Sequence, residues 1–166
     1  MYRVLFVCSG NTCRSPIAAG VFNKLLKERR VRNVVAESAG TVAVNGMRAS
    51  PLAVSVAGKR GVNLTDHRSR PASPELLERA SLVLTMTGQQ WYDVTEHVPR
   101  EKVTILTQFG QSDVQPTDIA DPAGGAESDY ERVFEQLNAE VTRSFPAILE
   151  ALKTVAASQA HGGRRR

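Results

Sequence analysis

The amino-acid sequence predicts an α/β fold, a four-stranded parallel sheet with helices on both faces. Three observations carry that expectation. Short apolar runs alternate with segments of helical periodicity along most of the 166 residues. The first run, Val4-Leu5-Phe6-Val7, is continuous rather than alternating, as in a strand buried on both sides. A glycine-containing turn follows it and leads into a helix start, the junction typical of parallel sheets.

Each element has its own signal. After the first strand, Ser15-Pro16 opens a helix, since serine caps and proline suits the first turn. Ile17, Val21, Phe22, Leu25 and Leu26 give that helix one apolar side, and Glu28-Arg29-Arg30 closes it. Asn33 to Glu37 reads as the second strand, followed by Ser38-Ala39-Gly40. A helix is expected over Pro51 to Arg60, stopped by Gly61, and a short one from Ser73-Pro74-Glu75 through Leu77. Ser81 to Met86 and Val103 to Leu106 are the third and fourth strands. Residues 107–127, rich in Gly, Pro and Asp, read as a long loop. A last helix fits Ser128 to Val155, with Val133, Phe134, Leu137, Val141, Ile148, Leu149 and Leu152 on one side. Pro146 is expected to kink it by removing a backbone hydrogen bond.

Composition narrows the function. One domain over 1–155 is expected, because a chain of this length buries about two thirds of its unfolded surface without disulfides or metal. No apolar run has the ~18 residues of a membrane span, and the N-terminus enters a strand directly. A cytoplasmic protein without membrane partners is therefore expected. The net charge of +4 includes Arg164-Arg165-Arg166, without which 18 basic residues face 17 acidic ones. The basicity is thus mostly that of a tail, residues 156–166, expected to be disordered, and nucleic acid is not an expected partner. Cys8 and Cys13 are the only cysteines. Their spacing would suit half of a zinc site, but His67, His97 and His161 are too dispersed to complete one. No metal and no cofactor are expected, and the thiols remain for chemistry.

The chemistry concentrates in Cys8-Ser9-Gly10-Asn11-Thr12-Cys13-Arg14-Ser15, between the first strand and the first helix. Backbone N–H groups of such a turn converge on one point, and the helix dipole adds positive potential, so the loop is an anion cradle. It is not a Walker loop, because no Gly-Lys-Ser/Thr follows. A cysteine at the mouth of an anion cradle is favoured as thiolate, hence as nucleophile. Arg14 offers two parallel donors that match phosphate oxygens. Together they imply phosphoryl transfer through a thiophosphate intermediate.

The segment Val7-Cys8-Ser9-Gly10-Asn11-Thr12-Cys13-Arg14-Ser15-Pro16 resembles the signature of the low-molecular-weight protein tyrosine phosphatases. Ser38-Ala39-Gly40-Thr41, Asp66-His67-Arg68-Ser69-Arg70 and Asp121-Pro122 stand in that family's order and spacing, so the resemblance covers about residues 3–153. It implies a three-layer flavodoxin-like fold, phosphorylated proteins as substrates, Cys8 as nucleophile and Arg14 as phosphate clamp. Ser9, Gly10, Asn11, Thr12, Cys13 and Ser15 would form the phosphate-binding loop. Asn11, Ser15, Ser38 and His67 would hold that loop and its thiolate.

A proton donor is also needed for the leaving group, and the residues alone leave Asp118 and Asp121 equally open. The resemblance selects Asp121, as acid and then base. It also implies a reversible disulfide between Cys13 and Cys8 that protects the nucleophile.

Two positions bear on the substrate. Thr12 stands where the tyrosine-specific branch commonly carries an aliphatic residue and the bacterial protein-arginine branch a threonine. A hydroxyl there can pair with the N–H groups beside phosphorus in phospho-arginine. Asp121-Pro122-Ala123-Gly124-Gly125 lacks the tyrosines that wall a phenol slot, although Ala123 departs from the phenylalanine frequent in the arginine branch. Trp91, Tyr92 or Tyr130 are candidates for a replacement wall. The expected substrate is phospho-arginine, with phosphotyrosine the alternative. An arsenate reductase is disfavoured by the lack of cysteines after Cys13, and a non-catalytic phosphate-binding module by the presence of Cys8 and Asp121.

Overall fold

The structure, a computed structural model, describes residues 1–162, with side chains through residue 155. Four strands, β1 (Tyr2–Cys8), β2 (Val34–Gly40), β3 (Leu82–Thr85) and β4 (Val103–Ile105), form one parallel sheet in the order β2-β1-β3-β4. Five helices surround it: α1 (Arg14–Glu28), α2 (Pro51–Gly58), α3 (Pro74–Arg79), α4 (Gly88–Thr95) and α5 (Glu127–Gly162).

The continuous apolar run of β1 has the predicted explanation. Alternate side chains serve two cores: Val4 and Phe6 pack with Ile17 and Phe22 of α1 and with Leu137 and Ile148 of α5. Leu5 and Val7 face the other way, against Leu77 of α3 and Val94 of α4. Phe22 lies between Phe6 and Phe145, with ring centroids 5.8 and 4.9 Å away in tilted contacts. Truncating a ring so enclosed costs about 3–5 kcal/mol.

Three elements differ from expectation. The second strand runs on from Glu37 to Gly40, because Ser38, Ala39 and Gly40 pair with Phe6, Val7 and Cys8 of β1. The sequence reading left out α4, whose eight residues bury only Gln90 and Val94 fully; its apolar stripe is too short to read as periodicity. The last helix begins one residue early, passes Pro146 as a single element and continues to Gly162. Inside it the Ser144 hydroxyl donates to the Glu140 carbonyl at 2.7 Å. The tail expected over 156–166 therefore starts within helical backbone, while residues 163–166 lie outside the described residues. Among the described residues no helix is long and apolar enough to cross a membrane.

The strand order places the site. The chain passes from β2 on one side of β1 to β3 on the other, so a crevice opens beyond the carboxyl ends of β1 and β3. The loop 9–13 leaves β1 at that point.

Candidate active site

Cys8 ends β1 with its side chain 2% exposed, and Cys13 occupies the N-cap position of α1 without a side-chain capping bond. The Cys13 side chain therefore leaves the first-turn N–H groups of α1 uncapped. The backbone N–H of Asn11 donates to Cys8 Sγ at 3.3 Å, and Ser15 Oγ lies 2.9 Å from the sulfur.

Asn11 is the hub of the loop. It is fully buried with a φ of 57°, a left-handed conformation that asparagine tolerates better than most residues. Its Nδ2 donates to Ser15 Oγ at 2.8 Å and to Ser38 Oγ at 3.0 Å. Its Oδ1 accepts from the Arg70 backbone N–H at 2.9 Å, and its carbonyl lies 2.7 Å from His67 Nε2. A carbonyl can only accept, so Nε2 carries the proton. Burial holds His67 below its ordinary 6.5; the Asn11 carbonyl opposes this, and the charges of Arg70 and Arg68 add to it. Asn11 thus joins Ser15, Ser38 and His67.

Arg14 is buried. One terminal nitrogen donates to the Ile119 carbonyl at 3.0 Å; the other reaches Asp121 Oδ2 at 3.1 Å and Ser9 Oγ at 3.5 Å. Ile119 is anchored by its N–H to the Met86 carbonyl at 2.9 Å, beyond the end of β3. The loop before α5 is in this way fastened over the crevice, and Asp121 comes to the arginine while remaining half exposed. Asp118 does something else: its Oδ1 accepts from the Gly88 N–H at 2.8 Å, at the start of α4. Of the two aspartates, only Asp121 bonds Arg14 among the described residues.

Burial pushes the Cys13 thiol up to about 12, with Cys8 and Asp121 adding and Arg14 opposing. Gly10 and Thr12 form the outer turn, where a Cβ on Gly10 would stand 3.7 Å from Thr12 Oγ1. The Thr12 carbonyl accepts from Ser50, whereas its hydroxyl has no partner among the described residues. Trp91 donates from Nε1 to the Val103 carbonyl at 3.2 Å and Tyr130 is buried in the larger core, so both are packing residues; Tyr92 is exposed.

Three contributors were not singled out from sequence. Gln90 takes the N–H groups of Met86 and Thr87 on its Oε1 and donates from Nε2 to Ser9 Oγ at 3.1 Å. The pattern Thr87-x-x-Gln90, a capping box, was its signal. Arg70 also donates from Nε to the Ser38 carbonyl at 3.0 Å. Gly40 passes so close to the loop that a Cβ would stand 2.2 Å from the Ser9 carbonyl oxygen.

A buried thiol ends β1 at the loop that leads into Arg14 and its partner Asp121, and residues 3–157 match the family described as low molecular weight phosphotyrosine protein phosphatase. The chain belongs to that family. The phosphatase is 37% identical over 144 residues to a protein-arginine-phosphatase of Geobacillus stearothermophilus, covering 86% of this chain and 93% of the relative. It is 36% identical over 140 residues to the low molecular weight phosphotyrosine protein phosphatase of Sus scrofa, covering 80% and 87%. Among solved structures it superposes on a cysteine-to-serine mutant of the YwlE arginine phosphatase, whose active-site serine is phosphorylated, with a TM-score of 0.80 and 33% identity over 89% of this chain and 95% of that one. The flavodoxin-like fold and the protein phosphatase activity class of this enzyme follow from these relationships.

Proposed function

We propose that the phosphatase removes the phosphoryl group from phospho-arginine in proteins, with Cys8 as nucleophile, Arg14 as clamp and Asp121 as acid and base. The phosphate oxygens are received by the N–H groups of the loop Ser9, Gly10, Asn11, Thr12, Cys13, Arg14 and Ser15 and by the free edge of the Arg14 guanidinium. Ser15 Oγ already accepts from Asn11 Nδ2, so its single proton goes either to Cys8 Sγ or to the Ala39 carbonyl at 3.2 Å. Donated to sulfur, it joins the Asn11 N–H in stabilising the thiolate.

The S–P bond forms as the P–N bond breaks, and Asp121 gives its proton to the departing guanidine. Water then attacks phosphorus, Asp121 takes the proton, and the S–P bond breaks to release phosphate and the thiolate. Ser38 and His67 act through Asn11 and hold the loop in shape. The same reading makes residues 1–155 the catalytic unit and the cytoplasm its compartment.

The observation that carries the substrate is the unpaired Thr12 hydroxyl beside the nucleophile, which offers a partner to the guanidino N–H groups that a phenol lacks. The absence of an aromatic side chain in Pro122-Ala123-Gly124-Gly125 supports it, as do the arginine phosphatases among the relatives. The tyrosine phosphatases at similar identity favour phosphotyrosine as the second reading.

The test compares kcat/KM for phospho-arginine and phosphotyrosine peptides on the wild type and on Thr12→Ile, with Cys8→Ser as an inactive control. The proposal expects a wild type that prefers phospho-arginine and a variant that swings towards phosphotyrosine. A wild type that prefers phosphotyrosine overturns it.

A further inference from the structure

The segment 41–50 arches from one end of the catalytic loop to the other. Thr41 and Val42 donate their N–H groups to the Cys8 and Ser9 carbonyls at 2.9 and 3.1 Å, and Ser50 donates to the Thr12 carbonyl at 2.9 Å. Between these ends the arch is pinned from below by Ser69, which is 1% exposed. The Ser69 N–H donates to the Met47 carbonyl, its carbonyl accepts from Gly46, and its hydroxyl accepts from Met47 and donates to Val44.

This fixed backbone presents an unusual outer surface. Val42, Val44 and Met47 are 75, 68 and 53% exposed, three of the large apolar side chains that the phosphatase leaves in solvent. Beside them Arg48 and Arg68 stand directly opposite in an isolated antiparallel backbone bridge. Like charges so placed are destabilising, and no carboxylate among the described residues relieves them: Arg48 makes no hydrogen bond or ion pair, and Arg68 only donates to the His67 carbonyl at 2.8 Å. An ordered, apolar and doubly cationic rim at the edge of a phosphate-binding loop has the chemistry of a recognition surface.

We propose that this rim docks an acidic segment of the protein substrate, with carboxylates flanking the phosphorylated residue received between Arg48 and Arg68 and an apolar neighbour resting on Val42, Val44 and Met47. The inference rests on the phosphatase reading above and adds to it the sequence context of the substrate. The extended chain on either side of a residue seated at Cys8 advances about 3.3–3.6 Å per residue, and the arch is bonded to the loop at Cys8, Ser9 and Thr12, so the flanking residues are the ones to vary.

The experiment measures kcat/KM on pairs of phosphopeptides that carry Glu or Lys two and three residues from the phosphorylated side chain. p-Nitrophenyl phosphate, which has no flanks, runs in parallel. For the wild type at low ionic strength we expect about a fivefold preference for the acidic peptide, the upper range for exposed pairs, fading at about 0.5 M salt. Arg48→Glu is expected to abolish the preference while p-nitrophenyl phosphate turnover stays unchanged. Its thermal midpoint should not fall, because the substitution turns a like-charge pair into an opposite one; Arg48→Ala, with loss of the preference, checks the same point without a new charge. No preference in the wild type, or a preference that survives in both variants, overturns the proposal. A wild type without preference that sediments as a dimer, with Arg48→Glu a monomer, assigns the rim to a second copy instead. Failure to hydrolyse p-nitrophenyl phosphate and both peptides removes the phosphatase reading itself, and is distinguishable from all of these.

Discussion

Gly40→Ala tests whether the catalytic loop tolerates any displacement. A Cβ at this position would stand 2.2 Å from the Ser9 carbonyl oxygen, 2.9 Å from Ala43 Cβ and 3.0 Å from the Asn11 nitrogen, against 3.4 Å at the near edge of ordinary contact. The difference, 3.4 less 2.2, requires Ser9 to retreat by about 1.2 Å. Ser9 has little room for that, since its carbonyl accepts from Val42 and its hydroxyl from Gln90. Overpacking of this kind costs about 1–3 kcal/mol of stability, and a displacement near 1 Å costs about 10²-fold in rate. We expect kcat for p-nitrophenyl phosphate to fall about a hundredfold, with a lower midpoint in urea. Gly58→Ala is the control, because nothing lies within 4 Å of a Cβ there and it ends α2. Its kcat should be unchanged and its stability equal or up to about 1 kcal/mol higher. A Gly40→Ala enzyme within threefold of wild-type kcat would refute the argument that the close approach of β2 sets the shape of the loop.

Asp121→Asn should slow substrates with poor leaving groups about 10²–10⁴-fold and remove one limb of the pH–rate profile, whereas Asp118→Asn should stay within a few-fold, since an amide oxygen caps Gly88 as well. Comparing the two pH profiles decides the assignment. His67 is depressed in the folded state, so the unfolded chain takes up its proton first: its contribution is complete above 6.5 and is lost as the pH falls from 6.5 through the lower folded value. Urea titrations across that range should show stability falling towards acid in the wild type and a smaller fall in His67→Gln. With its thiol pushed up to about 12, Cys13 should stay unmodified by iodoacetate near neutral pH while Cys8 is alkylated and protected by inorganic phosphate; peptide mapping that finds Cys13 labelled first would contradict this.

The sequence made the sheet and the catalytic loop legible for a common reason. A strand buried on both faces must be apolar throughout, as Val4 to Val7 are, and an anion cradle needs its chemistry within one short segment, as Cys8 to Ser15 provide. What stayed hidden depends on contacts distant in sequence. Gln90 reaches Ser9 across 81 positions and Arg70 reaches Asn11 across 59, so the capping box at Gln90 and the motif that ends at Arg70 do not reveal these partners. Helix α4 escaped because its formation depends on caps at Thr87, Gln90 and Asp118 more than on an apolar stripe. Asp118 and Asp121 sit in equally loop-like surroundings, so their different partners, Gly88 for one and Arg14 for the other, leave no mark in the local sequence.

The placement of Cys8 at the end of the innermost strand divides the molecule into parts that can change at different rates. The thiol and its network ride on β1, enclosed between β2 and β3, where a substitution disturbs packing on two sides. Val42, Val44, Met47 and Ala123 lie in loops at the rim, exposed and outside either core. Replacing them leaves the interior untouched, so descendants of one chain can drift from one phosphorylated partner to another while the bond-breaking apparatus is inherited unaltered.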